Sequence, residues 1–217
     1  MTARPAAGGG RWITVTPDRV GRWIDGFVDR HGAFEVSATP DVVTLTAADG
    51  SVAECHAPFP PLASGSVRGL ITHVRQSRRI GVLLVRLGGH AAGVFEGDRL
   101  VASKVGSRLV HGRSAAGGWS QHRFARRREK QVDEALRAAA EVAVRVLVPY
   151  TESADGLAAV VLGGDRRAVD GLRADRRLDP VFALEMEPFL TVPDPRLAVL
   201  EGTPKLFRAV RIRLTDG

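Results

Sequence analysis

The sequence predicts a mixed α/β (α+β) fold in two parts: a small N-terminal α+β unit, and a larger unit with helices packed on a mixed sheet. Three observations carry this. An amphipathic helical period follows Thr16-Pro17-Asp18. Short strand-like runs separated by Gly- and Asp-containing turns follow it, first over residues 34–56 and then over 80–105. A long helical period then runs from His122 to Leu147 and is followed by another apolar strand.

In order along the chain, residues 1–10 hold one arginine and no apolar core, and read as a disordered tail without a secretory signal. Residues 11–70 form the N-terminal unit. Thr16 is an N-cap, Pro17 suits the first helical position, and Asp18 favours the positive end of the helix dipole. Val20, Trp23, Ile24, Phe27 and Val28 recur at helical spacing until Gly32 stops the helix. Strands are expected at Phe34–Ser37, Val42–Ala47 and Val52–His56, the last two joined by an Ala48-Asp49-Gly50 turn. Pro58, Pro60 and Pro61 followed by Ala63-Ser64-Gly65 read as a linker, with a boundary at 65–75.

Residues 75–200 form the second unit. Ile80–Leu87 is nearly continuous in apolar residues, as a strand buried on both faces would be. Gly88-Gly89 turns it into Ala91–Phe95, and Glu96-Gly97-Asp98 turns that into Leu100–Val105, giving a β-meander. A small, polar, glycine-containing loop occupies residues 106–120 and is expected to be mobile, because it has few apolar anchors to offset its ordering entropy. On the following helix Val132, Ala135, Leu136, Ala139, Val142 and Val146 make one buried face. Leu157–Leu162 is a buried strand, and Gly163-Gly164-Asp165 leads into a short helix ending near Leu172. Phe182–Glu185 and Leu206–Leu214 are further strand candidates, the latter within a C-terminal segment, residues 201–217.

The chain has 217 residues, 44% of them apolar and 25% charged, the balance of an ordinary globular protein with a sizeable core. No apolar run approaches the ~20 residues that span a bilayer. The single cysteine, Cys55, excludes an internal disulfide and a cysteine-built zinc site, and fits a reducing cytoplasm. Net charge is +7, from 31 Lys and Arg against 24 Asp and Glu. The distribution says more than the total. Arg123, Arg126, Arg127, Arg128 and Lys130 face one acid, Glu129, within ten residues. That is the electrostatic footprint of a phosphate-binding surface.

These cations occupy the first two turns of the long helix, ~10 Å at 1.5 Å per residue. Cations there oppose the helix dipole, at a cost of ~0.3–1 kcal/mol each. A sequence shaped by stability alone places Asp or Glu in such turns. The alternatives are a solvated face with salt bridges elsewhere, or a surface where helix N–H groups and arginines hold RNA phosphates together. Lys104, Arg108, His111 and Arg113 extend the second. The preceding loop ends Gly117-Gly118-Trp119-Ser120-Gln121. Paired glycines let a backbone enter a crowded site. Gln121 offers an uncharged donor and acceptor, able to orient a water and to stabilise an oxyanion. Trp119 can stack on a nucleotide base or cover the helix start.

From Gly117 the chain reads GGWSQHRFARRREKQ. This resembles the catalytic middle domain of the eukaryotic and archaeal class-one translation release factors, in which Gly-Gly-Gln precedes Ser-Ala-x-Arg-Phe-Ala-Arg. Arg123-Phe124-Ala125-Arg126 matches without a gap from Gly117-Gly118, and the resemblance covers residues 75–175. In that register Trp119 stands where those factors have glutamine, and Gln121 comes two positions later. A shifted glutamine is similar to the Vms-like release factors, and the chain resembles their actinobacterial peptidyl-tRNA hydrolase branch. The resemblance implies a middle-domain-like, RNase-H-like mixed sheet. It also implies codon-independent action, since the chain is short for a codon-reading domain and holds no Asn-Ile-Lys-Ser motif.

What the resemblance implies for function is a cytoplasmic peptidyl-tRNA hydrolase that frees nascent chains from stalled large ribosomal subunits. Its partners are the large ribosomal subunit, peptidyl-tRNA and ribosomal RNA, with no membrane, metal or organic cofactor. Gln121 with Gly117 and Gly118 forms the catalytic set; Arg123, Arg126, Arg127, Lys130, Trp119, His122 and Arg113 contact RNA. Two alternatives stand beside it. One is a nuclease cutting near the tRNA 3′ end, with His122 assisting. The other is a non-enzymatic ribosome-binding module, favoured by Trp119. Other chemistries fare worse. There is no G-x-S-x-G elbow and no H-E-x-x-H among histidines 31, 56, 73, 90, 111 and 122. Glu96, Asp98 and Asp165 are the residues from which a two-metal nuclease set would be built.

Overall fold

A computed structural model of the chain describes residues 3–86, 88–107, 120–152 and 155–217; for residues 3 and 120–128 the description is of the backbone. The elements in chain order begin with β1 (Ala3–Pro5), β2 (Arg11–Val15), α1 (Val20–His31), β3 (Phe34–Ala38), β4 (Val42–Ala47), β5 (Val52–His56) and α2 (Val67–Arg75). They continue with β6 (Arg79–Arg86), β7 (Gly89–Glu96), β8 (Arg99–Ser107), α3 (Ser120–Leu147), β9 (Ala159–Gly164), α4 (Arg166–Gly171) and α5 (Asp179–Phe182). The last are α6 (Leu197–Glu201), α7 (Pro204–Phe207) and β10 (Val210–Thr215). They form two compact units, one of residues 1–77 with 204–217, the other of residues 78–203.

The first unit is built on an antiparallel sheet of order β1-β2-β10-β5-β4-β3. Alternation does the work. Ile13 and Val15, Val43 and Leu45, Ala53 and Cys55, and Val210, Ile212 and Leu214 all point to one face. Against it lie Val20, Trp23, Ile24 and Phe27 from α1, with Leu70 and Val74 from α2. Trp23 stacks on Phe27 at 5.9 Å. α2 starts where Ser66 caps it, its hydroxyl accepting from the Gly69 N–H at 3.0 Å. The buried His73 ring on α2 bonds the Pro58 carbonyl at 2.9 Å.

Several expectations change here. Ala3–Pro5, expected in a disordered tail, pair with β2. Arg11–Val15 and Val67–Arg75, where the sequence predicts no element, form β2 and α2. The strand expected at Leu206–Leu214 starts later, because Pro204–Phe207 is helical and the alternation begins at Val210. β10 lies between β2 and β5, so the C-terminal segment supplies a central strand to the N-terminal sheet.

The second unit is a mixed sheet of order β8-β7-β6-β9. β6, β7 and β8 form the antiparallel meander expected from their turns, and β9 runs parallel to β6, pairing Ile80 with Ala159. β6 is buried from Ile80 to Val85, as its unbroken apolar run requires. α3 packs Ala139, Ala140, Ala143, Val146 and Leu147 against Leu83, Val85, Ala92 and Val94 of the sheet. Small residues on both sides allow close approach of helix and strand. Glu185, expected in a strand, follows the helix α5, and only an isolated bridge joins it to Val160.

Gly164 closes β9 with φ +101°, and a Cβ there would lie 2.2 Å from the Val85 carbonyl oxygen. Asp165 then caps α4, accepting from the Arg167 and Ala168 N–H groups at 2.9 and 3.3 Å. The strand-to-helix corner thus needs both a glycine and an acceptor, in that order.

Candidate nucleic-acid interface

The second unit carries the basic run on α3. The helix has 28 residues and no acid in its first turn. Its first four backbone N–H groups, Ser120 to Arg123, have no carbonyl four residues earlier within the helix. At ~100° per residue, positions 123, 126, 127 and 130 fall on one stripe about 100° wide. Ala135, Ala139 and Ala143, all buried, fall roughly opposite. Four of the five basic positions therefore lie opposite the dry face, and position 128 lies on its side. Lys130 is exposed and makes no ion pair among the described residues. None of residues 129–134 is buried, and Ala135 is the first buried side chain described on α3.

Gln121, His122, Arg123, Arg126 and Arg127 lie in the first turns of α3. Their side chains, and the whole of Gly117, Gly118, Trp119, Arg108, His111 and Arg113, lie outside the described residues, as does the expected mobility of the loop. Lys104 is exposed on β8.

Arginines elsewhere in this unit show what structural pairing looks like. Arg177 bonds Glu141 and Asp175 at 2.7 Å each, Arg173 bonds Glu185 at 2.6 Å, and Arg79 bonds Glu96 at 2.6 Å. Arg166 stacks over Phe189 at 4.2 Å. The Glu96 carboxyl is held below its usual range, first by the hydrogen bond from Arg79 and then by that from Arg99.

The three carboxylates of the two-metal alternative are not assembled. Glu96 lies across from Arg79 at one end of β6, while Asp165 binds Val85 near the other end. Six residues of strand put them ~20 Å apart. Glu96 is engaged by two arginines and Asp165 by a helix cap. Among the described residues no group of three or more His, Cys, Asp or Glu side chains is placed to hold a metal ion. Nor is any helix among them long and apolar enough to cross a membrane.

Residues 78–213, from the start of the second unit into β10, match the family model of the Actinobacteria/chloroflexi VLRF1 release factors. The chain belongs to this family. Peptide chain release factor subunit 1 of Aeropyrum pernix is 31% identical over 116 residues, 52% of this chain and 31% of that protein. The chain thus spans about a third of the length of this curated relative. Among solved structures, the archaeal translation termination factor aRF1 is similar at 21% identity and TM-score 0.45, over 72% of this chain and 46% of that one. Dom34 of S. cerevisiae, a translation termination-like factor involved in RNA quality control pathways, is similar at 8% identity and TM-score 0.35, over 92% of this chain and 65% of that one. The VLRF1 match contains the Gly117–Gln121 run and all of α3; most of the first unit lies before it.

Proposed function

We propose that this chain is a ribosome-rescue release factor that hydrolyses peptidyl-tRNA on stalled large ribosomal subunits. The observation that carries the reading is a single juxtaposition in a release-factor family member. Gly117-Gly118-Trp119 runs directly into a helix that begins Ser120-Gln121 and whose first turns carry five basic residues, four of them at positions opposite its buried face. Gln121, with loop amides from the Gly117-Gly118 stretch, positions a water on the ester carbonyl and donates to the oxyanion that develops. Arg123, Arg126, Arg127 and Lys130 hold ribosomal RNA or tRNA phosphates, with Arg113, Trp119 and His122 alongside. The reaction needs no metal: water attacks the carbonyl carbon, the ester C–O bond breaks, and the proton passes to the tRNA ribose oxygen.

The test is incubation of the purified chain with stalled large-subunit peptidyl-tRNA, followed by analysis of both products. Released peptide and a tRNA with an intact, rechargeable 3′ end are expected. Gln121→Ala should retain ribosome association and lose ~10²–10³-fold in release rate, the cost of one oriented catalytic donor. A shortened tRNA ending in a cyclic phosphate would instead make the chain a nuclease, with His122 the first residue to vary. Association without either product would leave a binding module, with Trp119 in place of the catalytic glutamine.

A further inference from the structure

We propose that the first unit carries a second RNA contact: a groove along α1 that takes the phosphodiester backbone of a single-stranded RNA segment. The groove has a volume of about 330 Å³ and lies between α1 and the end of β2. Arg19, Arg22 and Arg30 line it, with Thr14, Val15 and Thr16 on the strand side. All three arginines are exposed, and none makes an ion pair among the described residues. No carboxylate lines the groove. Asp25 and Asp29 occupy the neighbouring stripe of α1 and Asp18 precedes it; the Asp18 carboxyl is held low first by Thr16, then by a backbone N–H and by Arg19 and Arg22.

The floor is the second observation. Gly26 lies between Arg22 and Arg30 on the same stripe of the helix. A mid-helix glycine costs ~0.5–1 kcal/mol relative to alanine. Packing does not require it: a Cβ at Gly26 would meet only the flexible end of Arg30, at 3.4 Å. What its absence leaves is an open floor beside the Trp23 ring, flanked along the helix by guanidinium groups. From Arg19, in the turn just before α1, to Arg30 is eleven steps along the chain, ~16 Å at a helical rise. That is the length of a short strand, not of one phosphate. Planar forks with several donors match phosphate geometry and are weakly hydrated. The choice of RNA as the polyanion rests on the proposed ribosomal role; the groove itself does not depend on Gln121 or α3.

The experiment is binding of the full chain to a fluorescent single-stranded RNA oligonucleotide, measured by anisotropy across a salt series. Three chains are compared: the parent, R19Q/R22Q/R30Q, and R126E/R127E on α3. If the groove holds three phosphates, the first variant lowers the log–log salt slope by about 2 units, at ~0.7 per contact on a single strand. Gly26→Leu keeps every charge, favours the helix, and fills the floor; it should weaken binding in the same direction while melting no lower than the parent. Competition with inorganic phosphate and with poly-glutamate separates the ligand classes. Displacement of the RNA by millimolar phosphate makes the groove a small-anion site, and equal binding of poly-glutamate makes it a site for acidic protein; either overturns the proposal. So does an unchanged slope for R19Q/R22Q/R30Q when R126E/R127E lowers it, an outcome that leaves the hydrolase reading intact. Loss of release in Gln121→Ala with the groove slope retained separates the two in the other direction.

Discussion

Gly164→Ala is expected to destabilise the second unit strongly, and the size of the effect follows from two contacts. At φ +101° a side chain is strained, by ~1–2 kcal/mol for a residue other than glycine. The new Cβ would also stand 2.2 Å from the Val85 carbonyl oxygen and 2.9 Å from its carbon. That carbonyl is not free to move away: it lies in β6 and accepts from the Asp165 N–H at 2.8 Å. Overpacking against fixed backbone adds ~1–3 kcal/mol. The sum is ~2–5 kcal/mol, a fall of roughly 4–20 °C in melting temperature for a chain of this size. Gly26→Ala is the control of opposite sign. Its Cβ meets only the end of Arg30, so the gain in helix propensity, ~0.5–1 kcal/mol, should raise the melting temperature slightly. Both are read by circular dichroism melting of the purified chains. Equal melting of Gly164→Ala and the parent, or a fall in Gly26→Ala as large as that in Gly164→Ala, would refute the reasoning.

Other predictions concern charge, a cap and the buried thiol. Charge reversal at Arg126 and Arg127 should weaken ribosome binding and lower its log–log salt slope by up to about one unit per lost phosphate contact, an unchanged slope marking a merely solvated face. Asp165→Ala removes an acceptor shared by two N–H groups and should cost ~1 kcal/mol in denaturant unfolding, with Asp165→Asn retaining most of it. Burial pushes the Cys55 thiol up from 9.0 to about 12. Its contribution to stability is therefore complete below pH 9 and is lost as pH rises toward 12, because only the unfolded chain ionises readily in that window. A thiol reagent at neutral pH should leave the native chain unlabelled and label the unfolded one; fast native labelling would contradict the burial.

Much of the architecture is legible because it is local. α1 and α3 show their apolar stripes at three- and four-residue steps, β3 to β5 alternate, and the meander is punctuated by Gly88-Gly89 and Glu96-Gly97-Asp98. The candidate site is legible for the same reason: GGWSQHRFARRREKQ is one continuous stretch. α2 is legible as well, since Val67, Leu70, Ile71 and Val74 have helical spacing behind Ser66, but the adjacent prolines and glycine have the composition of a linker. The groove on α1 left no such signal. Arg19, Arg22 and Arg30 carry no motif, and only their convergence over Gly26 sets them apart.

The sequence by itself determined α1, α3 and the strands β3 to β9, and that a glycine pair leads into a helix with a glutamine and a cationic run at its start. The tertiary structure decided what those segments touch. Val210–Thr215 alternates visibly, but nothing nearby says that it enters the first sheet between β2 and β5, more than 150 residues earlier in the chain. Arg11–Val15 becomes legible as a strand once β10 and β1 lie beside it. Glu96 and Asp165 could be imagined in one metal site until the register of β6 set them at opposite ends of a strand. The physical reason is common to all three. Periodicity is written residue by residue by backbone geometry, whereas strand partners depend on long-range burial that a one-dimensional pattern does not encode.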